Sequence, residues 1–284
     1  MKITGKTKIV GIFGHPVHHT FSPLMQNAAF NAAGLDYCYL PFDVKPENLK
    51  LALNAIPLLN IKGLNITIPH KEKVLSYLDE VTDEAKFIGA VNTIKTDGEK
   101  LTGHNTDGRG FTMAFQEEFS ATVEGKRFLI IGAGGAAKAI AIQLAIEGAR
   151  AIIIANRTFF TGRELAEHLL EHFPNCDISI IRLKRKEISN VMEHIDVLIN
   201  TTPVGMKPDD PLLITDEMFN PDSVVCDIVY NPKETILLRR AKESGLKTMS
   251  GIGMLLHQGA LAFEIWTGEK PPLSVMREEL EKAL

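Results

Sequence analysis

The residues most suggestive of chemistry are the glycines between Phe128 and Ile140, in the sequence Phe-Leu-Ile-Ile-Gly-Ala-Gly-Gly-Ala-Ala-Lys-Ala-Ile. An apolar run, a glycine turn and a helix follow one another in the order that a dinucleotide loop requires. Gly132 permits a tight turn, Gly134 lets the backbone approach a pyrophosphate, and Ala137 takes the third small position. Backbone N–H groups at the helix start would bind the phosphates. The alternative is a plain strand-to-helix turn. Because the flanking strand and helix are both present, the sequence predicts a nucleotide site.

The end of the next predicted strand indicates which nucleotide binds. An NAD site usually places Asp or Glu about 20 residues past the glycine loop, where it binds the ribose 2′-hydroxyl. Here the strand 151–155 ends in Asn156-Arg157-Thr158, without an acid. A guanidinium suits a 2′-phosphate because it is always charged and offers paired donors. The sequence therefore favours NADP over NAD and over a methyl donor, although Arg157 could also be an exposed loop charge.

Lys71 is a candidate proton-transfer residue. The sequence Asn65-Ile-Thr-Ile-Pro69-His-Lys71 reads as a strand that enters a helix over residues 70–78. Cations are unfavourable at a helix N-terminus, yet Lys71 and Lys73 would both lie in the first turn. A helix start also disfavours the ammonium form and would favour proton transfer from it. The alternative is that both lysines point into solvent.

Two hydroxyl-rich and acidic turns have structural explanations of their own. In the cluster 105–108, Thr106 or Asp107 would cap the following helix, and this interpretation is preferred for the cluster alone. In the cluster 20–23, Ser22 would be the N-cap and Pro23 the first helical residue. A hydroxyl at that helix start could still donate to a carboxylate.

Two groups of histidines could suggest a metal site. Residues 15–19 contain three histidines, and His168 and His172 match an H-x-x-E-H zinc pattern. No independent third ligand accompanies the second pair, and the first group follows a strand end at a proline. The sequence therefore predicts no metal.

Alternating apolar runs and helical segments predict an α/β protein of two domains. Such alternation is typical of mainly parallel sheets covered on both faces. We expect an N-terminal, mainly parallel α/β sheet domain, a Rossmann-type doubly wound domain, and C-terminal helices at 254–266 and 274–283 that return to the first domain. The predicted domains are 1–107 with 250–284, for substrate binding and catalysis, and 108–249, for NADP binding.

Composition indicates which classes of partner and which cellular location to expect. The 284 residues carry a formal net charge of −4, which argues against nucleic-acid binding. The basic run 182–186 is interpreted as a solvated loop or helix start. No apolar stretch reaches the roughly 18 residues of a membrane span. The three cysteines are far apart, which favours free thiols in the cytoplasm.

Nine short motifs together resemble the motif set of the shikimate dehydrogenase family, in order and over nearly the whole chain. They lie at residues 14–23, 65–71, 89–93, 105–108, 132–136, 156–158, 200–206, 227–232 and 251–258. The resemblance implies NADPH-dependent reduction of 3-dehydroshikimate to shikimate, in the pathway to aromatic amino acids. It implies a small-molecule substrate and a monomer or homodimer.

The resemblance also implies residue roles. Lys71 and Asp107 would be the catalytic pair and would contact the substrate. The remaining substrate-binding residues would be Thr20, Ser22, Thr67, Asn92, Tyr230 and Gln258. The cofactor-binding residues would be Gly132, Ala133, Gly134, Gly135, Ala136, Asn156, Arg157, Thr158, Phe159, Phe160 and Thr161, with Asp83, Ile228 and Gly251 near the nicotinamide.

Three positions depart from the family pattern. Thr20 replaces a serine, Gln26 replaces a common histidine, and Thr161 stands where a second basic residue often occurs, with Arg163 close by. The added methyl and the missing charge leave open a quinate/shikimate dehydrogenase with relaxed use of NAD and NADP. A dinucleotide sensor without catalysis is a further alternative, although it would not need both Lys71 and Asp107.

Overall fold

The computed structural model describes residues 2–283 and divides into two compact units. One unit holds the chain up to Gly110 and from Leu256 onward, and the other runs Phe111–Leu255. The division points lie a few residues past the predicted ones because both fall inside helices. These are α4, Asp107–Phe119, and α9, Gly251–Thr267.

The first unit is built on a six-stranded sheet in the order β2-β1-β3-β5-β6-β4. Only β5 runs antiparallel to its neighbours, so the prediction of a mainly parallel sheet is confirmed. Its elements are β1 (Lys8–Gly14), α1 (Ser22–Ala32), β2 (Tyr37–Asp43), α2 (Leu49–Leu58), β3 (Ile61–Ile66), β4 (Glu80–Val81), α3 (Asp83–Ile88), β5 (Thr93–Thr96), β6 (Leu101–His104) and α10 (Leu273–Ala283). Two 3-10 turns, Pro46–Asn48 and Lys73–Tyr77, complete it.

The C-terminal helices pack on this first sheet. The Trp266 indole of α9 donates through Nε1 to the carbonyl of Ile94 in β5 at 2.9 Å, and the ring is 5% exposed. Helix α10 packs along α1 and buries Met276 and Leu280. A fully buried apolar side chain of this size contributes roughly 1.5–3 kcal/mol. These contacts hold the end of the chain on the first sheet, as the sequence predicted.

The second unit is a parallel sheet in the order β12-β11-β10-β7-β8-β9. Its elements are β7 (Arg127–Ile131), α5 (Gly135–Ile146), β8 (Ala151–Asn156), α6 (Phe159–His172), β9 (Asp177–Arg182), α7 (Arg185–Met192), β10 (Val197–Asn200), β11 (Val224–Asp227), α8 (Ile236–Glu243) and β12 (Lys247–Met249), with a 3-10 turn at Asp216–Met218. This is the doubly wound Rossmann order, and it confirms the predicted fold class. The order reverses between β7 and β10, where such sheets bind ligands at the carboxyl ends of their strands.

The predicted helix over residues 70–78 is wrong. Lys71 lies in a turn, and only the 3-10 turn Lys73–Tyr77 follows. The backbone explains the difference, because the Lys71 carbonyl accepts from the Val91 N–H at 2.8 Å instead of from the next helical turn. Lys71 therefore does not experience the field of a helix N-terminus, and its environment must come from other groups.

The helices within residues 2–283 are too short or too polar to span a membrane. The longest helix, α9, has 17 residues, and no helix of the described chain combines the length and apolar character that a membrane span requires.

Candidate active site

The centre of the candidate site is an ion pair between Lys71 and Asp107. The Lys71 Nζ donates to Asp107 Oδ2 at 2.6 Å, although 36 residues separate the two in sequence. The Lys71 side chain is 17% exposed and that of Asp107 only 4%. A charge-assisted hydrogen bond in such surroundings is stronger than one between neutral groups. The carboxylate thereby fixes the position of the ammonium on a side chain that solvent still reaches in part.

The sheet explains how these distant residues meet. Lys71 follows β3, and Asp107 follows β6 as the first residue of α4. Strands β3 and β6 both pair antiparallel with β5, so their carboxyl ends lie at the same edge of the sheet. Thr106 directly precedes α4, and its carbonyl accepts from the Gly110 N–H at 2.9 Å. Its hydroxyl donates to the Gln258 carbonyl at 3.1 Å, and Asp107 accepts from Lys71.

Asn92 orients the Asp107 carboxylate. Its Nδ2 donates to Asp107 Oδ1 at 2.9 Å and to Thr106 Oγ1 at 2.8 Å, and its Oδ1 accepts from the Thr106 N–H at 2.8 Å. The Gln258 Oε1 lies 3.4 Å from the same Nδ2. Asn92 is 2% exposed. Its amide therefore fixes one carboxylate oxygen and leaves the other to the lysine.

A further layer of buried polar groups holds Asn92, and the sequence did not assign it. Asn65 Nδ2 donates to the Asn92 carbonyl at 3.2 Å, and the Tyr39 hydroxyl donates to Asn65 Oδ1 at 2.8 Å. Asn105 Oδ1 accepts from the Asp107 N–H at 2.9 Å. Asn65 and Asn105 lie in quoted motifs and could have been found there. Tyr39 is indistinguishable in sequence from an ordinary core residue of β2.

Three predicted hydroxyl groups lie near the same edge of the sheet. The Thr20 hydroxyl donates to Ser22 Oγ at 3.2 Å and accepts from the Ser22 N–H at 3.3 Å. Ser22 is the first residue of α1, so the predicted N-cap role is wrong, and Phe21 occupies the cap position. Thr67 follows β3, and its N–H donates to the Phe13 carbonyl at 2.9 Å. Since β1 and β3 are parallel neighbours, Thr67 and the segment that carries Thr20 and Ser22 both follow strands that end at the same edge of the sheet.

The glycine loop has the geometry of a phosphate cradle. Gly132 has φ of +115°, and a Cβ there would lie 2.5 Å from Thr201 Oγ1, so only glycine fits. A Cβ at Gly134, the N-cap position of α5, would meet no atom within 4 Å. Gly135 and Ala136 are the first two residues of α5, so their backbone N–H groups lie next to this open space. Ala133 lies between the two glycines of the loop. Ala137 is fully buried beneath the loop. These residues fit the pyrophosphate of a dinucleotide.

The adenosine end of the candidate cofactor site lies at the carboxyl end of β8. Asn156 Nδ2 donates to the Thr158 carbonyl at 2.9 Å and so shapes the loop. The exposed Arg157 has no carboxylate partner within the described chain. Phe159, Phe160 and Thr161 open α6 directly after this loop. The unpaired guanidinium and the absence of an acid fit a phosphorylated ribose.

The predicted nicotinamide residues occupy both units. Ile228 follows β11, and a Cβ on Gly251 would overlap its carbonyl oxygen, so the chain at these two positions is closely packed. Tyr230 lies two residues beyond Ile228 in the same unit. Asp83 is the exposed first residue of α3 in the other unit, and its Oδ1 lies 3.8 Å from Lys86 Nζ.

Asp227 was not predicted as a site residue, yet it organises the loops after β10 and β11. Its carboxylate accepts from Asn200 Nδ2 at 2.9 Å, from the Val229 N–H at 3.0 Å and from the Thr235 hydroxyl at 2.7 Å. Burial nevertheless dominates and raises the pKa of Asp227 to about 6. The motif around Asp227 was recognised in the sequence, but its buried carboxylate was not distinguishable from an exposed one.

The histidine groups serve local contacts. His172 Nδ1 is 2.9 Å from the His168 carbonyl, and His15 Nδ1 is 2.6 Å from Asp43 Oδ1. Within residues 2–283 no three His, Cys, Asp or Glu side chains converge in a way that could hold a metal ion.

Three family models match successive parts of the chain. The shikimate dehydrogenase substrate binding domain matches residues 12–94. The model described as shikimate / quinate 5-dehydrogenase matches residues 114–211. The shikimate 5'-dehydrogenase C-terminal domain matches residues 251–281. The matched segments thus include parts of both units.

Several relatives and solved structures with similar chains are named as shikimate dehydrogenases. A shikimate dehydrogenase (NADP(+)) of Desulforamulus reducens is 47% identical over 283 residues, 99% of this chain and 97% of that protein. A crystal structure of a shikimate dehydrogenase in complex with NADP+ has a TM-score of 0.92 at 45% identity, covering 99% of this chain and 97% of that one. A shikimate 5-dehydrogenase from Listeria monocytogenes, in complex with shikimate and NAD, has a TM-score of 0.89 at 38% identity, covering 99% and 98%.

Proposed function

The chain belongs to the shikimate dehydrogenase family, and we propose that it catalyses the reversible, NADP-dependent reduction of 3-dehydroshikimate to shikimate. This makes it an oxidoreductase acting on a CH–OH group, in the biosynthesis of aromatic amino acids. The observation that carries the proposal is the buried Lys71–Asp107 pair, held by Asn92 at the carboxyl edge of the first sheet. A protein that only senses dinucleotide would not need this arrangement.

Lys71 is the proton donor of the proposed reaction. NADPH, when bound by the glycine loop and Arg157, supplies the hydride for the carbonyl carbon. The Lys71 ammonium donates its proton to the carbonyl oxygen as that oxygen gains negative charge, and it accepts the proton back in the oxidation of shikimate. Asp107 holds the ammonium in place, while the 17% exposure of Lys71 allows its proton to be replaced from solvent.

The hydroxyl and amide groups proposed for the substrate would bind a rigid polyol. Thr20 and Ser22 donate to the substrate carboxylate, since both hydroxyls lie at the start of α1. The other groups proposed to contact the substrate are Thr67, Asn92, Asp107, Tyr230 and Gln258. A site built from many fixed hydrogen-bonding groups discriminates strongly against analogues that lack a hydroxyl.

The direct test is an assay with four substrate and cofactor combinations. Purified protein is mixed with shikimate or quinate and with NADP or NAD, and the absorbance of the reduced nicotinamide is followed. Turnover of shikimate with NADP is the expected result. Failure to oxidise shikimate with either cofactor would refute the proposal and leave the dinucleotide sensor as the better account.

A quinate/shikimate dehydrogenase with relaxed cofactor use is the second candidate. Thr161 supplies no charge where the family often has a basic residue, and Thr20 adds a methyl group to the carboxylate site. The similar enzyme from Listeria monocytogenes was solved with shikimate and NAD. Comparable kcat/KM values for quinate with NAD would favour this candidate, and undetectable quinate oxidation would exclude it.

The setting of the enzyme belongs to the same proposal. Cys38, Cys176 and Cys226 are all free and buried, which suits a reducing cytoplasm. The proposed enzyme acts there on a small-molecule substrate, as a monomer or homodimer. Size-exclusion chromatography with light scattering distinguishes the two oligomeric states.

A further inference from the structure

We propose that Arg182, at the carboxyl end of β9, is a second cation that recognises the 2′-phosphate of NADP together with Arg157. It would supply the positive charge that Thr161 does not. The inference rests on the proposed use of NADP. It gives a role to the basic run 182–186, which the sequence alone suggested was only a solvated loop or helix start.

Strand pairing places Arg182 beside the predicted ribose loop. Strands β8 and β9 are parallel, and Asn156 pairs with Arg182 in register. The Leu183 N–H donates to the Asn156 carbonyl at 3.2 Å, which fixes this register beyond the strand end. Neighbouring strands lie about 4.8 Å apart. Arg157, the residue after Asn156, and Arg182 therefore lie at adjacent strand ends, where the candidate 2′-phosphate would bind.

The Arg182 side chain is directed toward the start of α6. Alternate residues of a strand share a face, so Arg182 is on the same side of β9 as Ile180. The Ile180 side chain lies against Gly162 of α6. The Arg182 guanidinium lies over the Phe159 ring, with Cζ 5.0 Å from the ring centroid. This cation–π contact holds the charge next to the loop 156–158.

Other charges near Arg182 leave the guanidinium available. Glu187 is mainly a backbone partner, since its Oε2 accepts from the Arg182 N–H at 2.7 Å, whereas its Oε1 is 3.8 Å from Arg182 Nη1. The Arg182 side chain is 57% exposed, so this ion pair is weak. A guanidinium has five N–H donors and can bind a phosphate in addition.

Arg163, the nearer residue in sequence, is a poorer candidate. Its Nε donates to Glu167 Oε1 at 2.7 Å, one helical turn farther along α6. This contact directs the Arg163 side chain along α6 toward Glu167, whereas the Arg182 guanidinium lies over Phe159 at the helix start. Arg163 is therefore a matched control, since it is an exposed arginine on the same helix with an ion-pair partner of its own.

The test measures binding without turnover. Isothermal titration calorimetry compares adenosine 2′,5′-bisphosphate with ADP, which lacks the 2′-phosphate, for the wild-type protein and for R182Q, R182K and R163Q. We expect R182Q to weaken binding of the bisphosphate about tenfold and to leave ADP within about twofold, because one charge-assisted contact is lost. R182K should recover part of the loss, and R163Q should change neither ligand by more than about twofold.

Each outcome decides between a ligand contact and a structural role. If R182Q kept the wild-type preference for the bisphosphate, or weakened both ligands equally by disturbing Phe159, the inference would be wrong. A wild-type protein without any preference for the bisphosphate would also overturn it. The proposed function fails separately, if the wild-type protein does not oxidise shikimate, because the binding comparison does not depend on turnover.

Discussion

The substitution Lys71→Met tests the proposed proton donor most directly. Methionine is close to lysine in length but has no ammonium, so the change removes the charge and the proton with little loss of volume. A positioned general acid contributes roughly 10²- to 10⁴-fold to a rate, and we expect kcat for shikimate oxidation to fall by that factor. The KM for NADP should stay nearly unchanged, because the glycine loop and Arg157 are untouched.

The same substitution has a predictable effect on stability. The Asp107 side chain is only 4% exposed, and Lys71→Met leaves its carboxylate without a cation. Breaking a buried ion pair from one side costs roughly 3–5 kcal/mol. We expect about 3 kcal/mol, because the Asn92 amide continues to donate to Oδ1 at 2.9 Å. The double variant Lys71→Met/Asp107→Asn removes the orphaned charge and should regain most of this stability without regaining activity.

The measurements are the initial rate of NADP reduction and the free energy of unfolding in urea, both at neutral pH. Lys73→Met is the matched control, since Lys73 is exposed and its Nζ lies 5.7 Å from the Tyr77 ring centroid. It should change neither quantity much. A kcat for Lys71→Met within about threefold of wild type, or recovery of the rate in the double variant, would refute the assigned role.

Three further predictions concern the groups around the site. Asn92→Ala should lower kcat about tenfold or more with a smaller effect on stability than Lys71→Met, because Asp107 loses one orienting donor; steady-state kinetics that match wild type would contradict this. Gly134→Val should raise the KM for NADP while the free energy of unfolding stays near wild type. Gly132→Val should instead lower the free energy of unfolding by roughly 1–3 kcal/mol or more, since Gly132, unlike Gly134, combines a φ of +115° with a close neighbour. Thermal and urea unfolding of both variants measures the difference. Burial raises the pKa of Asp227 from 3.8 to about 6, so the folded protein binds more protons than the unfolded chain between these values. Its free energy of unfolding should therefore fall by up to about 3 kcal/mol as the pH rises through that window. Asp227→Asn should remove this part of the pH dependence, and identical pH profiles of stability for the two proteins would show the interpretation to be wrong.

Local sequence patterns determined most of the secondary structure and the type of each candidate site. Strands β1 and β2 have the bounds that their residues predicted, Lys8–Gly14 and Tyr37–Asp43, because runs rich in apolar and aromatic residues mark strands locally. The glycine loop and the missing acid after β8 predicted a dinucleotide site in the same way, since a tight turn and a helix start depend on residues close in sequence. The family motifs added the proposed roles of Lys71 and Asp107.

Tertiary structure decided the contacts that join distant segments. The sequence suggested that Lys71 lies in the first turn of a helix, and this expectation was wrong. Lys71 instead bonds through its carbonyl to Val91, which precedes β5, and through its ammonium to Asp107, which begins α4 after β6. Arg182 likewise acquires its place beside Arg157 only through the pairing of β8 with β9. Hydrogen bonds between neighbouring strands fix these positions, and the local residue pattern at either partner carries no record of the other.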